Sequence, residues 1–274
     1  MRKRWMTAAF AYAALIAGAV VTLTPILWMV SASFMPAGEA NTYPPRFLPG
    51  TVTFEHYSSL FTRLDLARSF SNSAFVTITV TLLSLLINSM AGYAFGKLRF
   101  HGRDRVFQVL LTGLMIPAQV GMLPLFLLLK QMGFVNTYVG VMIPGLANIF
   151  GIFLIRQYVQ GVPDDLLDAA RIDGAGEFRI FRVIVLPLIR PILVTLAAFT
   201  FISIWNDFMW PLIVLSDDGK YTLPVALASL VGEHVQDTEL MMAGSVVTTL
   251  PVLAVFLFFQ RIYVRGIMAG SVKG

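Results

Sequence analysis

Long apolar stretches separated by short polar segments dominate the pattern of this sequence. Five stretches contain no Asp, Glu, Lys or Arg, namely 5–38, 69–96, 106–129, 131–155 and 240–260. A sixth, around 184–206, contains Arg190 as its only charged residue. Because a helix needs about 20 apolar residues to cross a bilayer, the pattern predicts an all-α polytopic membrane protein. Its six transmembrane helices are predicted at 9–32, 72–96, 107–129, 139–160, 184–208 and 241–261.

The composition agrees with a membrane protein and excludes several kinds of functional site. Hydrophobic residues make up 57% of the chain and charged residues 13%, whereas soluble domains carry about 25% charged residues. The chain has no cysteine, which excludes disulfides, cysteine–zinc sites and thiol catalysis. Its three histidines, His56, His101 and His234, lie far apart in the sequence, so we expect no histidine metal cluster.

The distribution of basic residues predicts the orientation in the membrane. With six spans, the segments on the side of the N-terminus carry 14 of the 20 Lys and Arg residues, and the opposite segments carry five. Because Lys and Arg concentrate on the cytoplasmic side of a membrane, both termini are predicted to be cytoplasmic. The first charge-free stretch has 34 residues, more than the roughly 7–15 apolar residues of a signal peptide, so it is interpreted as an uncleaved span.

The polar segment between the fourth and fifth predicted spans has the pattern of two helices joined by a glycine turn. Pro163 suits the first position of a helix, and Asp164 and Asp165 favour the positively polarised N-terminus. Gly174 can take the left-handed conformation that ends a helix. A second helix is predicted after it, with one apolar face formed by Phe178, Phe181 and Val185.

The same segment contains a spaced motif. Asp168-Ala169-Ala170 is followed after three residues by Gly174 and, after nine more, by Ile184-Val185-Leu186-Pro187. This resembles the EAA loop of type I ABC importer permeases, in which Glu-Ala-Ala, three residues, Gly and nine residues precede Ile-x-Leu-Pro. The sequence departs from that pattern at the first position, where Asp168 keeps the charge of glutamate on a shorter side chain.

Three further segments are similar to the carbohydrate branch of that family, in its smaller, maltose-type permease subunit. They are Ala91–Phe100, Trp205–Leu212 and the C-terminal residues from Gln260 to Gly274. The resemblance implies an ABC transporter type-1 transmembrane domain preceded by one helix with an external segment and followed by a cytoplasmic tail. The implied bounds are 1–68 for the N-terminal part, 69–261 for the domain, about 162–187 for its EAA coupling loop and 262–274 for the tail.

For the whole chain, the resemblance implies a bacterial inner-membrane permease of an ATP-driven sugar importer. Such a permease pairs with a second permease, two cytoplasmic ATPase subunits and an external substrate-binding protein. ATP and Mg are bound by the ATPase subunits, so no cofactor is expected in this chain. The EAA helix is expected to sit in a cleft of the ATPase and to transmit its closure to the spans. The tail, including Lys273, is expected to contact the ATPase pair.

Two other classes of function find little support in the residues. An ion-driven secondary transporter carries buried acidic residues or broken helices at mid-membrane, and only Asp207 and Arg190 lie in or beside a span, near its ends. An intramembrane enzyme would need a metal set or a nucleophile–base pair, which no predicted span contains. Gly92 and Gly96-Lys97-Leu98 lack the spacing of a phosphate-binding loop, so no ATP hydrolysis is expected. These glycines instead predict close helix packing.

A sugar path through the helices requires polar or aromatic side chains within the spans. Amides can hydrogen-bond sugar hydroxyls, and aromatic faces can stack on sugar rings. The alternative role is hydrogen bonding between helices for the amides and anchoring at the membrane interface for the tryptophans. The candidates are Asn88, Gln119, Asn148, Trp205, Asn206 and Trp210.

Overall fold

The computed structural model describes residues 2–63, 65–233 and 237–271, and within these ranges it contains helices, turns and loops but no β-strand. This confirms the all-α fold class. Its shorter irregular elements are a 3₁₀ turn at Gly113–Met115, a π-helical segment at Phe181–Val185 and a second 3₁₀ turn at Asp218–Lys220. The α-helices in chain order are α1 Arg2–Ala32, α2 Glu55–Arg63, α3 Leu66–Lys97, α4 Arg103–Thr112, α5 Ala118–Gln131, α6 Tyr138–Leu146, α7 Ile149–Gln160, α8 Asp164–Ile172, α9 Glu177–Ile180, α10 Leu186–Leu188, α11 Arg190–Trp205, α12 Met209–Val214, α13 Leu223–Glu233 and α14 Thr238–Ser271.

Four segments correspond to the predicted first, second, fourth and sixth spans. The fourth consists of α6 and α7, which meet at an extended residue, Ala147. The side chain of Asn148 caps α7 by accepting backbone N–H bonds. The segments long and apolar enough to cross a membrane are Phe10–Ala32, Leu66–Lys97, Tyr138–Gln160 and Thr238–Gln260.

The third and fifth predicted spans each consist of two helices that meet at a sharp angle. α4 with its 3₁₀ turn meets α5 at 105°, and the α9–α10 segment meets α11 at 80°. At the first break Ile116 is extended, because the ring of Pro117 disfavours helical geometry in the residue before it. At the second break Pro191 lacks the N–H that would bond back to the preceding turn. The described residues contain up to six spans if each bent pair counts as one.

The chain forms two compact units. One comprises the described residues up to Ala67 together with Ala226–Pro251. The other comprises Arg68–Val225 with the described residues from Val252 onward. The coupling loop and all six predicted substrate-path residues belong to the second unit.

The first unit is held together by a small apolar core and by buried polar groups. Ala32, Met35 and Ala40 form the core. Buried Glu239 accepts a hydrogen bond from the backbone N–H of Ala40 at 2.7 Å. Nε2 of His56 donates to the carbonyl oxygen of Met35 at 2.8 Å. These contacts join the segment after α1 to α2 and to the start of α14.

Two glycines bring α3 and α7 into close contact in the second unit. A Cβ atom at Gly92 would lie 2.5 Å from Cγ2 of Ile155, and one at Gly96 would lie 3.2 Å from Cγ1 of Val159. A larger residue at Gly92 would therefore clash with the neighbouring helix. This confirms the prediction that the two glycines permit close helix packing.

The last helix extends beyond its predicted membrane span. α14 continues to Ser271, so most of the predicted tail (262–274) prolongs this helix. Residues 272–274, including Lys273, lie outside the described residues, as does His234. Contact between the tail and the ATPase stays a prediction.

Candidate coupling site

The segment between the fourth and fifth spans folds as a helix, a glycine turn and a second helix, as predicted. α8 begins at Asp164 and ends at Ile172. Gly174 has a φ of +81°, in the left-handed region that glycine enters without a steric cost. The N–H of Ala175 donates to the carbonyl oxygen of Ala170 at 2.9 Å, which closes the C-terminus of the helix.

α8 is anchored through one of its leucines. Leu167 is 1% exposed and belongs to an apolar cluster formed with α3, α7 and the helices that follow. Phe181 and Val185 are buried in the same cluster, as predicted, but Phe178 is 66% exposed and Ile180 is buried instead. The prediction that Phe178 shares one apolar face with Phe181 and Val185 was therefore wrong, because Ile180 takes the place of Phe178 in the buried cluster.

Lys97, at the end of α3, holds the N-terminus of α8. Its Nζ donates hydrogen bonds of 2.6 Å to Oδ1 of Asp164 and to the carbonyl oxygen of Val162. The ammonium group is largely buried, whereas the carboxylate is exposed. The hydrogen bond from Lys97 holds the pKa of Asp164 below its ordinary value, because it favours the charged carboxylate. The contact between Lys97 and Asp164 joins the span to the loop.

A second polar link joins the end of α8 to α3. Arg171 donates to Oε1 of Glu177 at 2.8 Å and to Oδ1 of Asp168 at 2.6 Å. Tyr93 of α3 donates to Oε2 of the same glutamate at 2.6 Å. The hydrogen bond to Glu177, and then the one to Asp168, raises the pKa of Arg171. The motif aspartate is thus the outer end of a chain of contacts that reaches a buried tyrosine of α3.

Some of the other motif residues are exposed to solvent, and the rest pack against the apolar cluster beneath the loop. Those exposed to solvent are Ala169 and Pro187. Those partly buried against the apolar cluster around Leu167 are Ala170, Ile184 and Leu186. The motif therefore contains both the residues that support the loop and residues left free on its surface.

Apolar and charged groups are both open to a partner at this loop. Leu166 and Ile172 of α8 are 48% and 87% exposed, in addition to Phe178 of α9. Large apolar side chains left exposed on one surface mark interaction sites. Beside α8 lies a cavity of about 990 Å³, whose charged lining includes Lys97, Arg99, Arg103, Asp164, Arg171 and Glu177.

Three of the predicted substrate-path residues are buried and make contacts within this subunit. The side-chain oxygen of Asn88 accepts the backbone N–H of Asn148 at 3.1 Å. The ring of Trp205 packs edge to face against the ring of Phe70 of α3, with ring centroids 5.4 Å apart. Trp210 donates through Nε1 to the carbonyl oxygen of Gly140 at 3.1 Å. In this subunit these side chains fix neighbouring segments to one another.

The other three predicted path residues are exposed. Gln119 lies in the first turn of α5. Oδ1 of Asn148 accepts the N–H of Phe150 at 2.8 Å. Asn206 follows α11, and its Nδ2 donates to the carbonyl oxygen of Ile202 at 2.9 Å. Their amide groups can be reached from outside this subunit.

Known families provide the decisive comparison for this arrangement of spans and loop. Residues 88–268 match the sequence profile described as "Binding-protein-dependent transport system inner membrane component". The chain belongs to this family. The matched region contains the whole coupling loop and the last five predicted spans, apart from the beginning of the second.

Two sugar permeases are similar to this chain over nearly their whole length. The arabinooligosaccharides transport system permease protein AraQ of Halalkalibacterium halodurans is 40% identical, over 98% of this chain and 96% of its own. The lactose transport system permease protein LacG of Rhizobium radiobacter is 36% identical, over 96% of this chain and 95% of its own.

Solved structures show the same fold. The crystal structure of a bacterial ABC transporter involved in the import of the acidic polysaccharide alginate matches with a TM-score of 0.85 and 25% identity, over 95% of this chain and 98% of the matched chain. A bacterial alginate ABC transporter in complex with an alginate pentasaccharide-bound periplasmic protein matches with a TM-score of 0.69 and 15% identity, over 94% and 93% of the two chains. The permease therefore has the type-1 transmembrane fold of ABC importers.

The coupling loop of this permease depends on residues that the sequence did not single out. Tyr93 of α3 bonds to Glu177, and Lys97 bonds to Val162 and Asp164, yet these partners lie 65 to 84 residues apart in the chain. Sequence patterns give no register between such distant segments. The one available signal was charge, since Lys97 ends a span and Asp164 begins a loop on the same predicted side of the membrane.

Proposed function

We propose that this permease, together with a second permease, forms the translocation path of an ATP-driven, binding-protein-dependent importer of sugars or oligosaccharides. The names of AraQ and LacG support the sugar class. Two cytoplasmic ATPase subunits bind ATP and Mg, and an external binding protein delivers the sugar. The alginate transporter in complex with its loaded periplasmic protein supports that assembly. The chain itself has a transport role and no catalytic one.

The observation that carries this proposal is a short helix with one face anchored and the other exposed. Leu167 fixes α8 to the apolar cluster, while Leu166 and Ile172 remain exposed. Covering exposed apolar side chains removes their surface from water, which is worth about 25 cal/mol per Å². A cleft of an ATPase subunit that covers them binds α8 without a covalent link.

Displacement of α8 reaches the spans through two polar links. Lys97 holds the start of the helix to α3, and the chain Arg171–Glu177–Tyr93 holds its end to the same span. Because α8 is attached near both ends, it moves with α3 instead of tilting about one point. The close packing of α3 on α7 at Gly92 passes the movement to a second span.

This role fixes the proposed orientation in the membrane. The ATPase subunits are cytoplasmic, so α8 and both termini lie on the cytoplasmic side of a bacterial inner membrane. The segments on that side carry 14 Lys and Arg residues and those on the opposite side carry five, which supports this orientation.

A crosslinking experiment tests the contact with the ATPase. Because the chain has no cysteine, Ile172→Cys adds a single thiol on the exposed surface of α8. In the assembled complex, a maleimide–photoreactive reagent on this thiol should crosslink to the ATPase, with a yield that differs between nucleotide-free and ATP-bound states. Phe47→Cys, an exposed position in the proposed external segment, is the matched control and should not react with the ATPase. Crosslinks from both positions, or from neither, would contradict the proposal.

The exposed amides are the proposed sugar contacts. Gln119, Asn148 and Asn206 can donate to and accept from sugar hydroxyls, whereas the buried candidates are proposed to position the helices around the path. Gln119→Ala should lower the maximal rate of sugar uptake by the complete importer. Gln108→Ala, at an exposed glutamine of α4, is the matched control and should leave the rate unchanged. Equal maximal rates of sugar uptake for the two variants would show that Gln119 does not contact the sugar.

A further inference from the structure

A small polar cavity lies where the helix of the fifth span ends. α11 ends at Trp205, and α12 begins at Met209. The cavity next to this break has a volume of about 10 Å³, and a space of about 10–15 Å³ holds one water-sized species. Four apolar side chains line it, together with the polar side chains of Ser73, Thr77, Asp207 and Thr222.

The hydroxyl groups of Thr222 and Ser73 at this cavity have bonding capacity that the protein does not use. Thr222 is 4% exposed, and its Oγ1 has no hydrogen-bond partner. Oγ of Ser73 accepts the N–H of Leu223 at 2.7 Å, which leaves a second lone pair on that oxygen. Thr77 is fully buried. These oxygens come from α3 and from the residue before α13, so a species bound between them joins the two segments.

Asp207 contributes the one carboxyl group of the cavity lining. It is partly buried, and it accepts backbone hydrogen bonds from the N–H of Met209 and, at 3.4 Å, from the N–H of Trp210. None of the ion pairs found in the described part of the chain includes Asp207. A carboxylate beside a span with no basic partner favours a cation over a neutral water molecule, because only the cation offsets the charge.

We propose that this cavity binds one sodium ion through the carboxylate of Asp207 and the hydroxyls of Ser73, Thr77 and Thr222. One carboxylate with neutral oxygens suits a monovalent ion, since Ca²⁺ takes six to eight oxygen ligands and Mg²⁺ keeps several waters. Breaks in membrane helices are places where cations bind, because helix ends and unwound backbone supply negative charge there. The ion ties α12 and the start of α13 to α3. Its role is structural, and ATP remains the energy source of the proposed transport.

Thermal unfolding of the complete complex in lipid nanodiscs tests the site. The midpoint should be several degrees higher in NaCl than in choline chloride of equal ionic strength, and it should rise saturably with Na⁺. Thr222→Val removes the hydroxyl while keeping the shape of the side chain, so it should abolish the Na⁺-dependent increase. Thr222→Ser keeps the hydroxyl and should retain the increase. Asp207→Asn should also abolish it, whereas Asp165→Asn, at an exposed carboxylate of α8, should not.

The comparison of the two Thr222 variants decides the question even if Asp207→Asn fails to assemble through loss of its bond to the backbone of α12. Equal midpoints of the unmodified complex in the two salts would overturn the sodium site. An increase that persists in Thr222→Val would overturn it as well. A high-resolution map with an ordered water in the cavity, and no dependence of the midpoint on Na⁺, would replace the ion with water.

Discussion

Gly174 gives the sharpest test of the coupling loop, because backbone conformation and side-chain size can be separated there. Its φ is +81°, and a Cβ atom at this position would have nothing within 4 Å. Gly176 has the same open surroundings but a φ of −72°. A side chain in the left-handed conformation costs about 1–2 kcal/mol. Gly174→Ala should therefore destabilise the turn by that amount, and Gly176→Ala should not.

A cost of this size changes the population of the native turn by a factor of about 5–30. Because the turn brings Glu177 to Arg171, its loss should loosen α8 and lower the amount of sugar transported per ATP hydrolysed. Gly174→Asn should keep more activity than Gly174→Ala, since asparagine tolerates the left-handed conformation. Sugar uptake and ATP hydrolysis are measured in the same proteoliposomes, which contain the complete complex.

Co-purification of all subunits provides the control for correct assembly in this series. If Gly174→Ala and Gly176→Ala transported the same amount of sugar per ATP hydrolysed, the left-handed conformation of Gly174 would not be needed for coupling. Normal uptake with Gly174→Leu in an assembled complex would count against any coupling role for the turn.

Four further outcomes follow from the same contacts. Tyr93→Phe removes the hydrogen bond to Glu177 and should destabilise the loop by about 1 kcal/mol, measured as faster hydrogen exchange in α8 while the rest of the protein stays protected. Gly92→Ala places a Cβ 2.5 Å from a side chain of α7 and should cost about 1–3 kcal/mol by overpacking. Gly121→Ala, with nothing within 4 Å, should not lower the thermal midpoint, so equal midpoints for these two variants would contradict the packing argument. Asp168→Lys should reduce transport but barely change thermal stability or membrane insertion, because exposed ion pairs are worth about 0–1 kcal/mol. The isolated subunit should hydrolyse no ATP, and activity in a preparation free of ATPase subunits would contradict the permease assignment.

Features that depend on local sequence were predictable. The charge-free stretches gave the approximate limits of the four continuous spans and of the two bent pairs, because hydrocarbon thickness sets the length of an apolar helix. The turn at Gly174 followed from the need for a left-handed residue after an amphipathic helix. Gly92 and Gly96 followed from their four-residue spacing on one helix face. Each of these inferences needed information from no more than one segment of the chain.

The breaks in the third and fifth spans could not be read from proline alone. Pro117 follows a break, but Pro25, Pro124 and Pro251 lie inside continuous helices. A membrane helix tolerates proline when neighbouring groups satisfy the freed backbone carbonyls. Whether they do so depends on tertiary packing, which the local sequence does not contain.

The sequence predicted the motif residues of the candidate site, but not the contacts that attach the loop to α3. Asp168 and Gly174 were identified from spacing, whereas the bond from Tyr93 to Glu177 joins residues 84 positions apart. The exposure of Phe178 was missed because the apolar pattern does not show which side of a short helix packs against its neighbours. Contacts between distant segments and irregular helix geometry are both set by packing.

The energy source of uptake is the measurement that tests the central claim most directly. The complete complex is reconstituted in proteoliposomes with its binding protein on the external side, and uptake of radiolabelled lactose and arabinooligosaccharides is followed. Uptake of at least one of these sugars is expected only when ATP is present on the cytoplasmic side and the binding protein is present on the other. Uptake driven by a sodium or proton gradient without ATP would contradict the assignment as an ABC importer permease.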